Sequence, residues 1–400
     1  VGDKVEAGTA LFFDKNNPRI LFTSPVSGVV SAINRGEKRK LINVAVEPDA
    51  QQVAKAIKMV DPAKAERSEI VEMLLESGLW TRIVERPFGV IANPDAQPKA
   101  IFVSAFDSAP LAPDYNFVLA AEKENIEAGM AVLARLTEGK VHLSARKGAE
   151  GFMAEVKGVE YHTFEGKHPA GNVGVQIHHI SPIRKGETVW TVSLVMLAAI
   201  GKLFNTGKYD LRRKIAVTGP KAIDPAYVVG YPGIAVKDVA EFYNASENLR
   251  FVSGDVLSGT NIGAEGFLGF FDNQISILEE GDKYELLGWA KPVRCSQFSA
   301  SRTYFSWLTP KKKYDMDTNL HGGPRAFVLN NIYSDVLPMD IFPVHLLKAC
   351  LAGDIDNMEK FGIYEVLEED LALCEYVDPS KIYIQQIITD GIALMLKEMC

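Results

Sequence analysis

Cysteine is scarce in this sequence. Four occur in 400 residues, Cys295, Cys350, Cys374 and Cys400, and no two lie within four positions of each other. That spacing excludes a local C-x-x-C zinc or redox motif and supplies no disulfide framework. A reducing cytoplasm is the simplest compartment. Phosphate-binding signatures are missing too: neither G-x-G-x-x-G nor G-x-x-x-x-G-K-[ST] occurs, so nothing marks a dinucleotide site or a P-loop. H-E-x-x-H is likewise absent. The longest apolar run, Val192–Ile200, is interrupted by Ser193 and falls far short of the roughly 20 residues that span a bilayer. No signal peptide is visible. The chain opens at Val1 inside an ongoing motif, so the natural N-terminus is expected upstream. Basic charge is not in excess. The net charge of −8 argues against a nucleic-acid binder, and the clusters Arg35–Lys40 and Lys311–Lys313 read as solvated loop faces.

What remains is ordinary globular usage, 47% hydrophobic and 24% charged. The length predicts two to four domains. Residues 1–48 alternate like strands, with turn-then-strand signals at Gly2-Asp3-Lys4-Val5 and at Ser24-Pro25-Val26-Ser27-Gly28. Lys15, in Asp14-Lys15-Asn16-Asn17-Pro18, reads as a solvated turn lysine. Gln51–Gly78 has helical period, with Asp61-Pro62 as a start and Gly78 as a stop. Ala100–Ala105, Lys140–Ser144 and Gly158–Thr163 read as strands, with a helix over Ile126–Leu136. That alternation predicts a parallel α/β layer. Thr191–Phe204 is a further helix. Phe267–Phe271 and Ile275–Leu278 read as paired strands around Asp272-Asn273-Gln274. The C-terminal part reads as helices at Val344–Leu351, Asp356–Phe361, Val366–Tyr376 and Lys381–Met399. Asp315, Asp317 and His321 match no metal template and read as a loop.

Histidine is densest between His168 and Trp190. Here His168, His178, His179, Arg184 and Trp190 are candidates for the polar lining of a pocket, because His, Arg and Trp can all donate hydrogen bonds. His178 and His179 are expected on a strand, where adjacent residues point to opposite faces.

The wording of 250–308 is distinctive. Ser253-Gly-Asp-Val-Leu-Ser-Gly259 leads to Asn273-Gln-Ile-Ser-Ile-Leu-Glu-Glu-Gly281, then Gly288-Trp289 and Phe298-Ser299. In this order they resemble the NqrA family, the A subunits of the bacterial Na+-translocating NADH:quinone oxidoreductases. His168-Pro169-Ala170-Gly171 and Ala199–Gly207 match the same family. The resemblance covers essentially the whole chain. It implies a multidomain α/β protein: a biotinyl/lipoyl-like barrel-sandwich (1–48), a Rossmann-like α/β domain with a leading helix (49–245), a small β-grasp unit of the soluble-ligand-binding type (246–309) and a C-terminal helical bundle (310–400). It also implies a peripheral subunit on the cytoplasmic face of the inner membrane, meeting the membrane through partner subunits. The complex oxidises NADH, reduces quinone and exports Na+, which makes His168, His178, His179, Arg184 and Trp190 quinone-binding candidates, a quinone pocket needing an apolar cleft and one or two donors to the carbonyl oxygens. The alternative is a docking scaffold of the same or an Rnf-like complex.

More distantly, the chain order resembles the RnfC family and the flavoprotein subunit of complex I. Those relatives carry a Gly-rich flavin loop where this chain has Trp80, Arg82, Ile83 and Arg86, so a flavin cradle is not expected here. RnfC proteins hold two [4Fe–4S] centres on cysteine clusters. Here Cys374 is the lone remnant, with Asp378 before Pro379 where a cysteine would stand, and one thiol cannot hold a cluster. Flavins and iron–sulfur centres are therefore expected on other subunits, with quinone as substrate of the complex. No catalytic acid, base or nucleophile, and no metal site, is expected on this chain.

Overall fold

The computed structural model describes residues 1–283, 285–288, 297–299, 302, 304–328 and 331–399. Trp289 of the Gly-Trp pair, Cys295 and Cys400 lie outside the described residues. In the N-terminal unit, β4 (Gly28–Arg35) pairs antiparallel with β5 (Leu41–Pro48) and with β1 (Lys4–Val5). A second hairpin joins β2 (Ala10–Phe13) to β3 (Leu21–Thr23), where Phe12 stacks on Phe22 with centroids 4.6 Å apart. Lys15 is exposed in the turn between them.

The helix expected over 51–78 is shorter. Residues 51–66 run largely extended, bridging Ala54 to Ala7 and Ala56 to Lys208, and so strap the N-terminal unit to the next. α1 (Arg67–Glu76) begins only after Glu66, whose N–H donates to Glu69 Oε2 at 3.1 Å. This capping interaction, not Asp61-Pro62, fixes the start.

A six-stranded sheet follows, in the order β10-β9-β8-β11-β6-β7. Its strands are β6 (Ile83–Arg86), β7 (Val90–Ile91), β8 (Ala100–Ser104), β9 (Lys140–Arg146), β10 (Glu160–Phe164) and β11 (Val189–Val192). β8 to β11 are parallel, while β6 and β7 run antiparallel at the edge. The helices are α2 (Tyr115–Val118), α3 (Lys123–Ala134), α4 (Val173–Ile180) and α5 (Leu194–Thr206). Strand alternation divides the core in two. Ile101, Val103, Trp190 and Val192 join α1, α3 and α5 on one face. Ala100, Phe102 and Val189 join α4 and the C-terminal helices on the other.

The histidine-rich strand is thus corrected to helix α4. Its short apolar run (Val173, Val175, Ile177, Ile180) fits either period, and the deciding features lie at its ends. Asn172 is extended at the N-cap, and Ser181-Pro182 stops the helix. The expected start of α5 also moves: Thr191 and Val192 belong to β11, and Ser193 caps the helix by accepting from Met196 N.

A second sheet, β13-β12-β16-β14-β15, is built from β12 (Arg213–Thr218), β13 (Ala226–Gly230), β14 (Leu249–Ser253), β15 (Thr260–Asn261) and β16 (Gln274–Glu279). Its strands come from both sides of the expected boundary at 245. Phe267–Phe271 is no strand. Only a single bridge ties Phe267, to Ala235, and β16 pairs instead with β14 and β12. Repeated glycines break the 266–271 run before a ladder can form. The C-terminal part contains α6 (Pro343–Ala352), α7 (Ile355–Phe361), α8 (Ala372–Val377) and α9 (Ile384–Met399).

α3 and α5 cross backbone to backbone. A Cβ on Gly201 would stand 1.7 Å from Asn125 O, and one on Gly129 2.5 Å from Leu197 O. Gly201→Ala is therefore expected to destabilise by about 1–3 kcal/mol through overpacking. Gly323→Ala, where a Cβ meets nothing within 4 Å, should leave the calorimetric midpoint near that of the parent.

Candidate functional site

In the parallel sheet β8 is central. The chain leaves it toward β9 on one side, and β11 adds later on the other. Crevices at such switch points, beyond the carboxyl ends of strands, are where open α/β sheets bind ligands. The segment leaving β8, Ala105–Ser108, meets the 168–172 turn there. Ser104 Oγ accepts from Gln176 Nε2 at 2.8 Å and lies 3.0 Å from Gly171 O. Ser108 Oγ accepts from Gly171 N at 2.8 Å, which frees its hydrogen for His168 Nδ1 at 3.1 Å. That bond leaves the His168 proton on Nε2, a buried donor with no partner among the described residues. Burial pushes the His168 pKa down, against Asp255 and Asp107. Burial also pushes Asp107 up, with Asp255 adding to it and the bond from Ala109 N opposing.

Beside this turn lies a buried ion pair. Arg86, at the end of β6, is 2% exposed; its Nη1 donates to Asp370 Oδ2 at 2.9 Å and its Nη2 to Glu369 Oε1 at 2.6 Å. Asp370 Oδ2 also accepts from Leu367 N at 3.0 Å, and Asn172 Nδ2 donates to Glu369 O at 3.1 Å. Gly174 makes room for the pair: a Cβ there would stand 2.2 Å from Asp370 Oδ2. One guanidinium cannot neutralise two carboxylates. The Glu369 side chain is 45% exposed, and the protein around it pushes its carboxyl up, opposed by Arg86 and reinforced by Asp370, Glu368 and Asp107.

The five residues singled out from sequence do not form one site. His168 stands beside the segment that leaves β8. His178 and His179 close α4 and face the C-terminal part. His178 Nε2 accepts from Asp340 N at 3.0 Å, so its proton is on Nδ1, which donates to Glu365 Oε2 at 2.6 Å. His179 Nε2 donates to Pro338 O at 2.9 Å. Trp190 lies across the sheet from them, fully buried, edge-on to Trp80 with centroids 5.4 Å apart. Arg184 is exposed in the turn before β11. Sequence reasoning misses Asp107, Ser108, Arg86 and Asp370 as site residues. A usable signal exists for the first two, polar residues directly after an apolar parallel strand. None exists for Arg86 and Asp370, which are 284 positions apart.

The flavin and cluster sites of the distant relatives do not fit these residues. Where the glycine loop would run, Trp80 is buried and donates to Ala92 O at 2.7 Å. Arg82 stacks on Phe270, its guanidinium carbon 3.1 Å from the ring centroid, and donates to Phe270 O. Side chains fill the space a phosphate cradle needs open. At the cysteine remnant, Cys374 is buried with its sulfur 4.0 Å from Tyr333 O, and burial pushes its thiol up to about 12. Asp378 accepts from Tyr333 Oη at 2.8 Å and from Ile382 N at 3.1 Å, a closed hydrogen-bonded corner. Among the described residues no group of three His, Cys, Asp or Glu could hold a metal.

Arg86→Met should cost about 3–5 kcal/mol by stranding buried Asp370. Pairing it with Asp370→Leu should cost less than the sum of the singles in denaturant titrations. The Glu369 carboxyl has its folded pKa raised, so the protonated form is favoured. Its stabilising contribution is full below the ordinary carboxylate range and is lost as pH rises above that range. Glu369→Gln should therefore flatten the fall in melting temperature across that window, with little change below it.

Residues 1–49 match the NqrA N-terminal barrel-sandwich hybrid domain, and residues 65–209 match the NqrA second alpha/beta domain. The A subunit of the Na(+)-translocating NADH-quinone reductase of Yersinia pestis bv. Antiqua (strain Angola) is 40% identical over 392 residues, covering 97% of this chain and 88% of that protein. Its counterpart in Serratia proteamaculans (strain 568) is 40% identical over 403 residues, covering 99% and 89%. The one in Rhodopirellula baltica is 38% identical over 403 residues, covering 99% and 88%. The chain belongs to the NqrA family, the A subunits of Na(+)-translocating NADH-quinone reductases.

Proposed function

We propose that this chain is a peripheral subunit of a Na+-translocating NADH:quinone reductase and that it contributes to quinone binding through the crevice at the end of β8. The family membership carries the first part. The orphaned Nε2 donor of His168 supports the second, because a quinone carbonyl needs one such donor in a partly apolar cleft. Ser108 holds that proton on Nε2 by filling Nδ1. Of the five sequence candidates, His168 is then the quinone ligand. His178 and His179 are fastened to the C-terminal part, Trp190 to the core, and Arg184 lies in solvent. The electron carriers, flavins and an iron–sulfur centre, belong in this reading to other subunits.

Among the described residues no helix is long and apolar enough to cross a membrane. Contact with the bilayer, on its cytoplasmic face, therefore runs through partner subunits in this proposal. A second reading, a docking scaffold without a quinone site, is favoured by the internal use of His178, His179 and Trp190.

Quinone kinetics of the assembled complex separate the two. Losing one hydrogen bond is worth about 0.5–1.5 kcal/mol, so His168→Ala should raise the quinone KM several-fold, up to about tenfold. His178→Ala should leave it unchanged. A KM unmoved by His168→Ala in an intact complex would place the quinone on other subunits and leave the scaffold reading standing.

A further inference from the structure

Between α5 and the start of β12 lies a cleft of about 190 Å³. Leu119, Val195, Met196, Ala198 and Leu211 make much of its lining apolar. Four cations, Lys202, Arg212, Arg213 and Lys214, share it with two carboxylates, Asp210 and Glu122. Asp210 is already engaged, by Lys202 Nζ and Arg212 Nη2 at 2.8 Å each. Glu122 takes Asn125 Nδ2 at 2.6 Å. Lys214 Nζ donates to Phe117 O at 3.1 Å and stands 4.3 Å from the Phe117 ring centroid.

Arg213 is the anomaly. It is 7% exposed, and among the described residues it forms no ion pair. Nη2 donates to Asp272 O at 2.6 Å, Nη1 meets only the Met196 sulfur at 3.8 Å, and Nε is enclosed without an acceptor. The Asp272 carboxyl itself is turned to Ser253 Oγ and raised by burial. A buried guanidinium outside any ion pair is costly, and burial pushes this one down to about 10, with the Asp272 charge opposing. Its Nη1 faces the thioether that lines the cleft, a weak acceptor for a cation. Methionine is unbranched and adaptable, so Met196 can turn aside and bare that nitrogen.

We propose that this cleft binds a small dianion with a short apolar tail, a phosphomonoester in class. Its oxygens would take Arg213 and Lys214, and its tail would lie along Met196 and Ala198. The excess of two cations matches the charge, and Arg with Lys is a pairing suited to phosphate oxygens. The volume admits the head and a few carbons.

The full chain would be titrated calorimetrically with butyl phosphate, with butanol and sulfate at equal ionic strength as controls. Vesicles containing phosphatidic acid form a second arm, separating a lipid headgroup from a free phosphomonoester. Arg213 also holds Asp272 O, so the variants are Lys214→Gln at the rim and Ala199→Leu, which fills the cleft without touching a charge. Saturable binding is expected, weakened about tenfold in Lys214→Gln and abolished in Ala199→Leu, with the ligand-free melting temperatures of both near the parent's. Vesicle binding with the same variant sensitivity, and none to butyl phosphate, would assign the site to a lipid phosphate. Heat effects equal to those of sulfate, or unchanged by Ala199→Leu, would overturn the proposal.

Discussion

A charge buried at the end of one strand holds this molecule together. Arg86 lies at the junction of the α/β sheet and the C-terminal helices, and every nearby element is adjusted to it. Asp370 and Glu369 come from the far end of the chain. Gly174 at the head of α4 has no side chain because one would strike the pair. Asn172 fastens the preceding turn to the same acids. That turn also carries His168 and bonds Ser108, so the candidate site inherits part of its geometry from the ion pair. A buried pair adds little net stability over an apolar substitute, yet breaking it is severe.

Much of the architecture is legible in the sequence, for reasons that lie in local pattern. The apolar runs at 100–104 and 140–146 and the amphipathic period of 123–134 report strand, strand and helix without outside help. α4 is not legible in the same way, because eight residues carry too little periodicity to separate a strand from a helix, and its deciding signals are single residues at its ends. The 267–271 run misleads differently. Its aromatic, β-prone residues outweigh the glycines between them in any local reading, and the true partner of β16 lies about twenty residues upstream in β14.

The candidate site is legible in part. His168 stands out because histidine is rare and the run after it is distinctive. Grouping it with His178, His179, Arg184 and Trp190 assumes that nearness in sequence is nearness in space. Strand alternation defeats that assumption within one step: Val189 and Trp190 are neighbours along β11 and belong to opposite cores. Arg82 and Arg86, where the distant resemblance implies glycine, and Asp378, where it implies cysteine, are each bulky or hydrogen-bonding groups. The structure shows each of them engaged within the protein.

Arg86 and its acid partners are separated by 284 positions. Proteins are made from the N-terminus, so when β6 leaves the ribosome the counter-charges do not yet exist. Until Asp370 emerges, the end of β6 lacks its counter-charges, and the second face of the sheet, from Ala100 and Phe102 to Val189, has only α4 to cover it. The second face of the α/β layer is thus completed only by residues made 284 positions after the strand that bears Arg86.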